Sequence, residues 1–315
     1  MDFPIQDLMD EGACCQFLLD LYHPAGLCCP RCHAADGFYT HRSFREPVLD
    51  YRCRQCGRVF NAWTGTVFQG TQWRPSQIVL ILRGFAQGVP TAQLARELSC
   101  SRRHLLDLRH RLQAQAQAGL DRTALEDETV EADEMYQNAG EKGEPHLDPE
   151  DPPRQRANKV RGHGTMDNDR PPVVGVVGRE TGQIRLEVVE HSDQDTLDKF
   201  VVDMTKPGAM VNTDEWAGYN RLPDLDRGRA SVCHAPGRRE WARDDDGDGV
   251  REVHNNTLEG SWTGLRNFLR PFRGVNKLFL SQYVAMFEWS YNIKEATTSF
   301  LRAMLGIKAV TDFGS

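Results

Sequence analysis

Two sets of side chains in this sequence have the types and spacing for chemistry. The first is four thiols, arranged as Cys29-Pro-Arg-Cys32 and Cys53-Arg-Gln-Cys56-Gly57 with twenty residues between the pairs. Each Cys-x-x-Cys turn aims two sulfurs at one centre, and two such turns make a tetrahedral four-thiolate site for Zn²⁺ with arms of roughly 2.3 Å. Gly57 lets backbone amides approach the second sulfur pair. Redox thiols and unliganded buried cysteines are the alternatives, and the doubled spacing favours structural zinc over both. Cys28 breaks the two-residue spacing and is read as a neighbour, while Cys14, Cys15, Cys100 and Cys233 read as small buried hydrophobes.

The second set is three acids. Asp133 lies inside the strand-like run Thr-Val-Glu-Ala-Asp-Glu-Met-Tyr, Asp214 ends the apolar run of Val-Asn-Thr-Asp, and Glu259 opens a helical stretch in Asn-Asn-Thr-Leu-Glu. An ionised carboxylate withdrawn from water without a partner is costly. Two Mg²⁺ or Mn²⁺ ions about 4 Å apart resolve that cost, need about three such acids, and clamp the attacking and leaving oxygens of a phosphodiester. In a chain that is 26% charged, any one of these acids alone reads as a solvated or capping carboxylate, so the argument rests on their joint placement. Arg266 follows Glu259 by seven residues, two helical turns, and so shares its face, within reach of a phosphate beside the metals.

Other patterns are weaker. Asp244, Asp246, Asp248 and Gly249 match the first half of a calcium loop, but Asn255 stands where a bidentate Glu is required, and the run is read as a solvated loop. Trp216, Tyr219, Trp262, Trp289 and Tyr291 could stack on unpaired bases, yet such spacings are more often core. His163, His191 and His234 carry no motif that singles them out.

The elements that must position these groups can be read from periodicity. Residues 7–22 read as a short packing helix, and short strand-like runs around the cysteine pairs have the layout of a ribbon too thin to stand without metal. From Pro75 the pattern is helical, closing at Gly88. Thr91 to Gln113 then reads as two helices turning at Ser99-Cys100, a helix-turn-helix with Arg102, Arg103, Arg109 and Arg111 on its exposed side, reaching DNA phosphates or guanine edges. Beyond it come a strand at Asp133, a strand pair joined at Thr181-Gly182, a helix over Thr196 to Met204, a buried strand ending near Asp214, and C-terminal helices from Thr257 to Phe268 and from about Ser281 to Leu305. Gln137 to Arg170 is a polar, Gly- and Pro-rich insertion. The expected division is an N-terminal helix (1–27), a zinc ribbon (28–70), a helix-turn-helix region (71–118), a linker (119–128) and an α/β domain with a mixed sheet and flanking helices (129–310).

The formal charge of −7 conceals an asymmetry. Residues 28–112 hold thirteen arginines and no lysine against five acids, a net +8, which leaves −15 for the rest. A local basic surface is what meets DNA phosphates. No stretch approaches the ~18 apolar residues of a membrane span, and the first thirty residues carry Asp2, Asp7, Asp10 and Glu11, so a cytoplasmic, nucleoid-associated protein with no membrane partner is expected.

The segments CPRC and CRQC, then FNAWTGTVFQGT, VEADEMYQNAGEKG, VNTDEWAGYN and HNNTLEGSWTGLRNFLRPFRGVNK, in this order and across nearly the whole chain, resemble the insertion-sequence transposases of the group numbered fifteen-ninety-five, in which a zinc ribbon precedes a DDE domain. The resemblance implies a ribonuclease-H-like fold, with Asp133 and Asp214 as the two aspartates and Glu259 as the third acid. His254, Asn255 and Asn256 are alternatives for that third position, where the family varies. It further implies binding of double-stranded DNA at the terminal inverted repeats, metal-dependent strand cleavage and strand transfer, and a homodimer or larger assembly holding two ends. The rivals are a zinc-ribbon/helix-turn-helix regulator with an inactive dimerisation domain, and a nuclease that cuts without joining.

Overall fold

The computed structural model describes residues 10–143, 149–150, 163–235, 237–293 and 297–307. Residues 144–148 and 151–162 of the expected insertion from Gln137 to Arg170 lie outside them. The chain divides into two compact units, one made of residues 1–120 with 293–315 and the other of Asp121–Asn292.

In the first unit, α1 (Glu11–Tyr22) starts at Asp10, whose carboxylate accepts the N–H groups of Gly12 and Ala13 at 2.8 and 3.0 Å. Three short antiparallel strands follow, β1 (Phe38–Arg42), β2 (Asp50–Cys53) and β3 (Val59–Phe60). Their buried residues are few, Cys29, Cys53 and Phe60 with Phe38 and Tyr51 packed against them, the thin core expected of a metal-dependent ribbon. Helix α2 (Pro75–Ala86) begins on its proline, and α3 (Thr91–Glu97) and α4 (Arg102–Ala118) form the helix pair. The turn between them has Ser99 at φ 50°, and Ser101 caps α4. The second helix runs five residues past Gln113, with Leu105, Leu108, Leu112 and Ala116 inward. Helix α8 (Thr298–Met304) also belongs to this unit: a Cβ on Gly119 would lie 2.8 Å from that of Ala303.

The second unit is a five-stranded sheet of order β6-β5-β4-β7-β8, comprising β4 (Thr129–Tyr136), β5 (Pro172–Gly178), β6 (Ile184–Val188), β7 (Met210–Asp214) and β8 (Gly228–Val232). The first three are antiparallel; β7 and β8 run parallel to β4. Helix α5 (Gln194–Met204) covers one face through Leu197, Phe200 and Val201, packing on Val130, Ala132, Val174 and Val176. On the other face α6 (Asn256–Leu269) and α7 (Leu280–Ile293) pack Leu258, Trp262, Leu265 and Val284 on Met135, Val173 and Val177. This is the ribonuclease-H-like mixed sheet with flanking helices expected from the sequence.

Two boundaries fall elsewhere than expected. The sheet unit ends at Asn292 and not at residue 310, because the chain after α7 returns to the N-terminal unit. Residues 121–128, expected as linker, belong to the sheet unit: buried Asp127 accepts the N–H groups of Glu180 and Thr181, each at 2.8 Å, and Leu125 bridges to Thr205. Strand β8, a half-buried Gly-Arg-Ala-Ser-Val edge, had no apolar alternation to announce it.

Candidate active site and metal centre

Period-2 alternation along β4 divides its acids between the two faces. Glu131 and Asp133 face α6 with Met135, while Glu134 faces the α5 side with Val130 and Ala132. Thr129, Val130 and Glu131 lie opposite Met210, Val211 and Asn212 of the parallel strand β7, and two further steps in that register set Asp133 beside Asp214. Across the antiparallel pair, Asp133 faces Gly175. The missing side chain there makes room for Trp262, whose ring would lie 2.6 Å from a Cβ on Gly175 and whose Nε1–H donates to Asp133 Oδ2 at 2.7 Å.

Asp133 keeps part of its surface open yet is densely surrounded, and its carboxyl is pushed up to about 8 by burial, then by the charge of Glu134, against the Trp262 N–H; Asp214 adds further repulsion. Burial likewise pushes Glu134 up to about 7, against the hydroxyl of buried Tyr219 donating to it at 2.8 Å. Three acids therefore crowd one sheet end, Asp133 and Asp214 side by side on adjacent strands and Glu134 on the opposite face of β4. Asp214 Oδ1 accepts the N–H of Trp216 at 2.9 Å, and Arg229 on β8 grips the carbonyls of Asp214 and Trp216 at 3.1 and 2.9 Å, fixing the turn beyond β7.

Glu259 sits in the first turn of α6, one turn before Trp262. Its Oε1 lies 3.5 Å from Nδ1 of His234, which the sequence did not single out. The candidates for its place lie differently. Buried Asn255 is the cap residue and donates to the carbonyl of Ala132 at 3.4 Å, Asn256 is exposed, and His254 lies 3.2 Å from Glu131. Burial and the neighbouring Arg179 hold His254 below the ordinary imidazole value. Arg266 is exposed in the last turn of α6.

Among the described residues, the groups of three or more potential ligands whose donor atoms all lie within 4.8 Å are the four cysteines and the trio Asp244, Asp246 and Glu252. Asp133, Asp214 and Glu259 do not form such a group among the described residues. The trio lies in an exposed loop whose aspartates accept the loop's own N–H groups, Gly247 and Gly249 on Asp244 and Val250 on Asp248, the solvated loop expected.

The four cysteines converge. Sγ of Cys29 lies 3.5 Å from that of Cys56, and Cys32 the same distance from Cys53, close to the ~3.8 Å edge of a tetrahedron with 2.3 Å arms. Amides of Arg31 and Cys32 donate to Cys29, and those of Gln55 and Cys56 to Cys53, the support thiolate ligands require. The sulfurs fit a four-coordinate structural metal. Of the remaining thiols, Cys14 and Cys15 are buried, but Cys28, Cys100 and Cys233 are half-buried.

The four arginines expected on the exposed side of the helix pair divide three to one. Arg102, Arg103 and Arg111 are exposed, whereas Arg109 is fully buried, donating to Thr91 Oγ1 at 2.8 Å and to the carbonyl of Val89, with its guanidinium 4.1 Å over the ring of Phe85. It holds α4 to α3 and α2 and cannot reach DNA. Trp262 and Tyr219 are buried core aromatics as expected, but their polar tips touch Asp133 and Glu134 respectively.

With this geometry, the class is a ribonuclease-H-like domain with an acid-lined sheet end. Residues 124–292, more than half of the chain, match the ISXO2-like transposase domain, and the chain belongs to that family of transposases. It is 29% identical over 313 residues, 96% of this chain and 99% of the relative, to an uncharacterized protein in transposable element ISH50 of Halobacterium salinarum. Among solved structures, it aligns with the simian T-cell lymphotropic virus intasome in complex with PP2A regulatory subunit B56 gamma (10% identity, TM-score 0.31, 54% of this chain and 50% of that chain). It also aligns with the Mos1 strand transfer complex (12% identity, TM-score 0.23, 68% and 74%). Among the described residues no helix is long and apolar enough to cross a membrane.

Proposed function

We propose that this chain binds the terminal inverted repeats of an insertion sequence and carries out metal-dependent strand cleavage followed by strand transfer. The observation that carries the reading is the meeting of Asp133 and Asp214 on adjacent parallel strands beneath α6, the helix whose first turn carries Glu259. Asp133, Asp214 and Glu259 are the three acids that hold Mg²⁺ or Mn²⁺. Such ions, when bound, supply activation of water or of a 3′-hydroxyl and stabilise both oxygens of the in-line displacement. Trp262 keeps Asp133 Oδ2 engaged, which leaves the carboxylate's other oxygen for a metal. Arg229 holds Asp214 by the backbone that follows it. Exposed Arg266, two turns along α6 from Glu259, meets a DNA phosphate.

The four thiolates hold Zn²⁺, and the ribbon and helix pair read the element ends, with Arg102, Arg103 and Arg111 meeting phosphates or guanine edges of double-stranded DNA. Two ends must be held together, so the working form is a homodimer or larger assembly. Asp133→Asn tests the reading: end binding persists while cleavage of a labelled end duplex falls by ~10³ or more, about 4 kcal/mol of transition-state stabilisation. Near-normal cleavage removes Asp133 from the site, and a parent complex left uncut by Mg²⁺ and Mn²⁺ leaves a DNA-binding regulator instead. A product that is cut but never joined leaves a nuclease.

A further inference from the structure

We infer that Glu131 is the positioning residue of this carboxylate site, a strand side chain that serves as the missing cap of α6 and thereby sets where Glu259 and Trp262 stand against Asp133. The inference rests on the proposed reading of the three acids.

Helix α6 begins without its own cap. Its cap residue Asn255 makes no side-chain capping bond and turns its amide to the carbonyl of Ala132 on β4. A helix N-terminus left so has unpaired N–H groups. Glu131 supplies the acceptor from the sheet: Oε2 takes the N–H of Leu258 at 2.9 Å, and Oε1 takes the hydroxyl of Thr257 at 2.9 Å and Nη1 of Arg179 at 2.7 Å. The residue is completely buried, a placement that a carboxylate tolerates only when its lone pairs are filled and its charge balanced. Here a guanidinium, a hydroxyl and the positive end of α6 do both. Arg179 also reaches the carbonyl of Glu252 at 3.3 Å, a carbonyl that Asn212 of β7 holds at 3.2 Å, so the segment entering α6 is tied to the same hub.

Glu131 and Asp133 are two residues apart on one face of β4, and Leu258 and Trp262 are one turn apart on α6. The contacts Glu131–Leu258 and Asp133–Trp262 therefore fix the helix to the strand at two points, which sets both its slide and its rotation. Glu259 is the residue directly after the first of these points. Displacements of about 1 Å in such a site cost on the order of 100-fold in rate, and loss of a supporting partner typically costs about 10- to 100-fold in metal affinity or activity.

The test uses the full-length, zinc-loaded chain and reads Mn²⁺ binding by electron paramagnetic resonance of the free ion, alongside cleavage and end binding. Asp133→Asn, run in parallel, identifies which Mn²⁺ belongs to the carboxylate site and which to the Asp244 loop. Glu131→Gln should weaken the Asp133-dependent Mn²⁺ by about 10-fold or more and slow Mg²⁺-supported cleavage similarly. End binding should stay parental, and high Mn²⁺ should recover part of the rate. A role in folding alone would lower end binding and melting temperature together and would not respond to Mn²⁺. If Glu131→Gln melts below the assay temperature, Thr257→Val, at an exposed position, removes one donor to the same oxygen and should weaken Mn²⁺ by about 3- to 10-fold. Parental Mn²⁺ affinity in the folded Glu131 variant, or in Thr257→Val where that variant is unfolded, overturns the inference. Should Asp133→Asn also leave Mn²⁺ binding and cleavage intact, the carboxylate reading fails with it; should Asp133→Asn abolish both, only the positioning role fails.

Discussion

Gly175→Ala probes a place where packing and chemistry touch. Gly175 lies opposite Asp133, and a methyl group there would meet Trp262 Cη2 at 2.6 Å, Trp262 Cζ2 at 3.2 Å and Leu186 Cδ2 at 2.7 Å. Carbon atoms rest at roughly 3.5–4.0 Å, so the indole must retreat by about 1 Å, or β5 must bow by a similar amount. Overpacking of this kind costs about 1–3 kcal/mol, and each kcal/mol lowers Tm by about 2–4 °C in a unit of this size. A retreat of that extent stretches the 2.7 Å bond from Trp262 to Asp133 beyond hydrogen-bonding range. Hydrogen bonds to charged groups contribute about 1.5–3 kcal/mol, so cleavage should fall by about 10- to 100-fold. The assay is single-turnover cleavage of a labelled end duplex at fixed Mg²⁺, well below Tm, with melting recorded on the same preparation. Trp262→Phe in the Gly175→Ala background separates the two effects: the smaller ring clears the methyl and restores Tm, but it cannot donate to Asp133, so cleavage stays low. A Gly175→Ala protein that melts and cuts like the parent refutes the packing argument. Recovery of cleavage in the double variant refutes the role given to the indole N–H.

Three further outcomes are expected. Cys53→Ser should drop bound zinc from one per chain toward none and abolish end binding, read by plasma mass spectrometry and gel shift, as expected if so thin a core relies on a metal held by the four thiols. Arg102→Gln and Arg103→Gln should each reduce the slope of log binding against log salt by about 1; Arg109→Met should leave that slope unchanged while costing about 1.5–3 kcal/mol in denaturant titration. Burial pushes Glu288 of α7 up to about 7 from 4.5, against Arg122 at 3.3 Å and the N–H of Leu186. A raised carboxyl leaves full stability below the unfolded value and removes it as pH climbs through the folded one, here up to about 3 kcal/mol between roughly pH 4.5 and 7. Glu288→Gln should therefore narrow the gap between the urea midpoints at pH 5 and pH 8, and an unchanged gap refutes the assignment.

What could be read along the chain, and what could not, follows from the range of the forces involved. Runs such as Val173–Val177 are buried on both faces, and the stripe Leu105, Leu108, Leu112 faces inward, so local periodicity reported them. The thiol site was legible because each half is a self-contained turn. The acids were legible as types in strand and helix contexts, but their supports were not: Glu131 meets Leu258 across 127 residues, and Trp262 meets Asp133 across 129. Nothing local marks such partnerships, and the edge strand β8 is equally silent because its pairing with β7, and not its own side chains, makes it a strand. Arg109 is the instructive failure, since its signal was present. It stands four residues after Leu105 and three before Leu112, on the inward stripe of α4, where a charge persists only if partners such as Thr91, Val89 and the Phe85 ring receive it. Phase along the helix, and not charge alone, separates an arginine that can meet a phosphate from one that holds the helices together. The same argument along β4 separates Glu131 and Asp133, which face α6, from Glu134, which faces away.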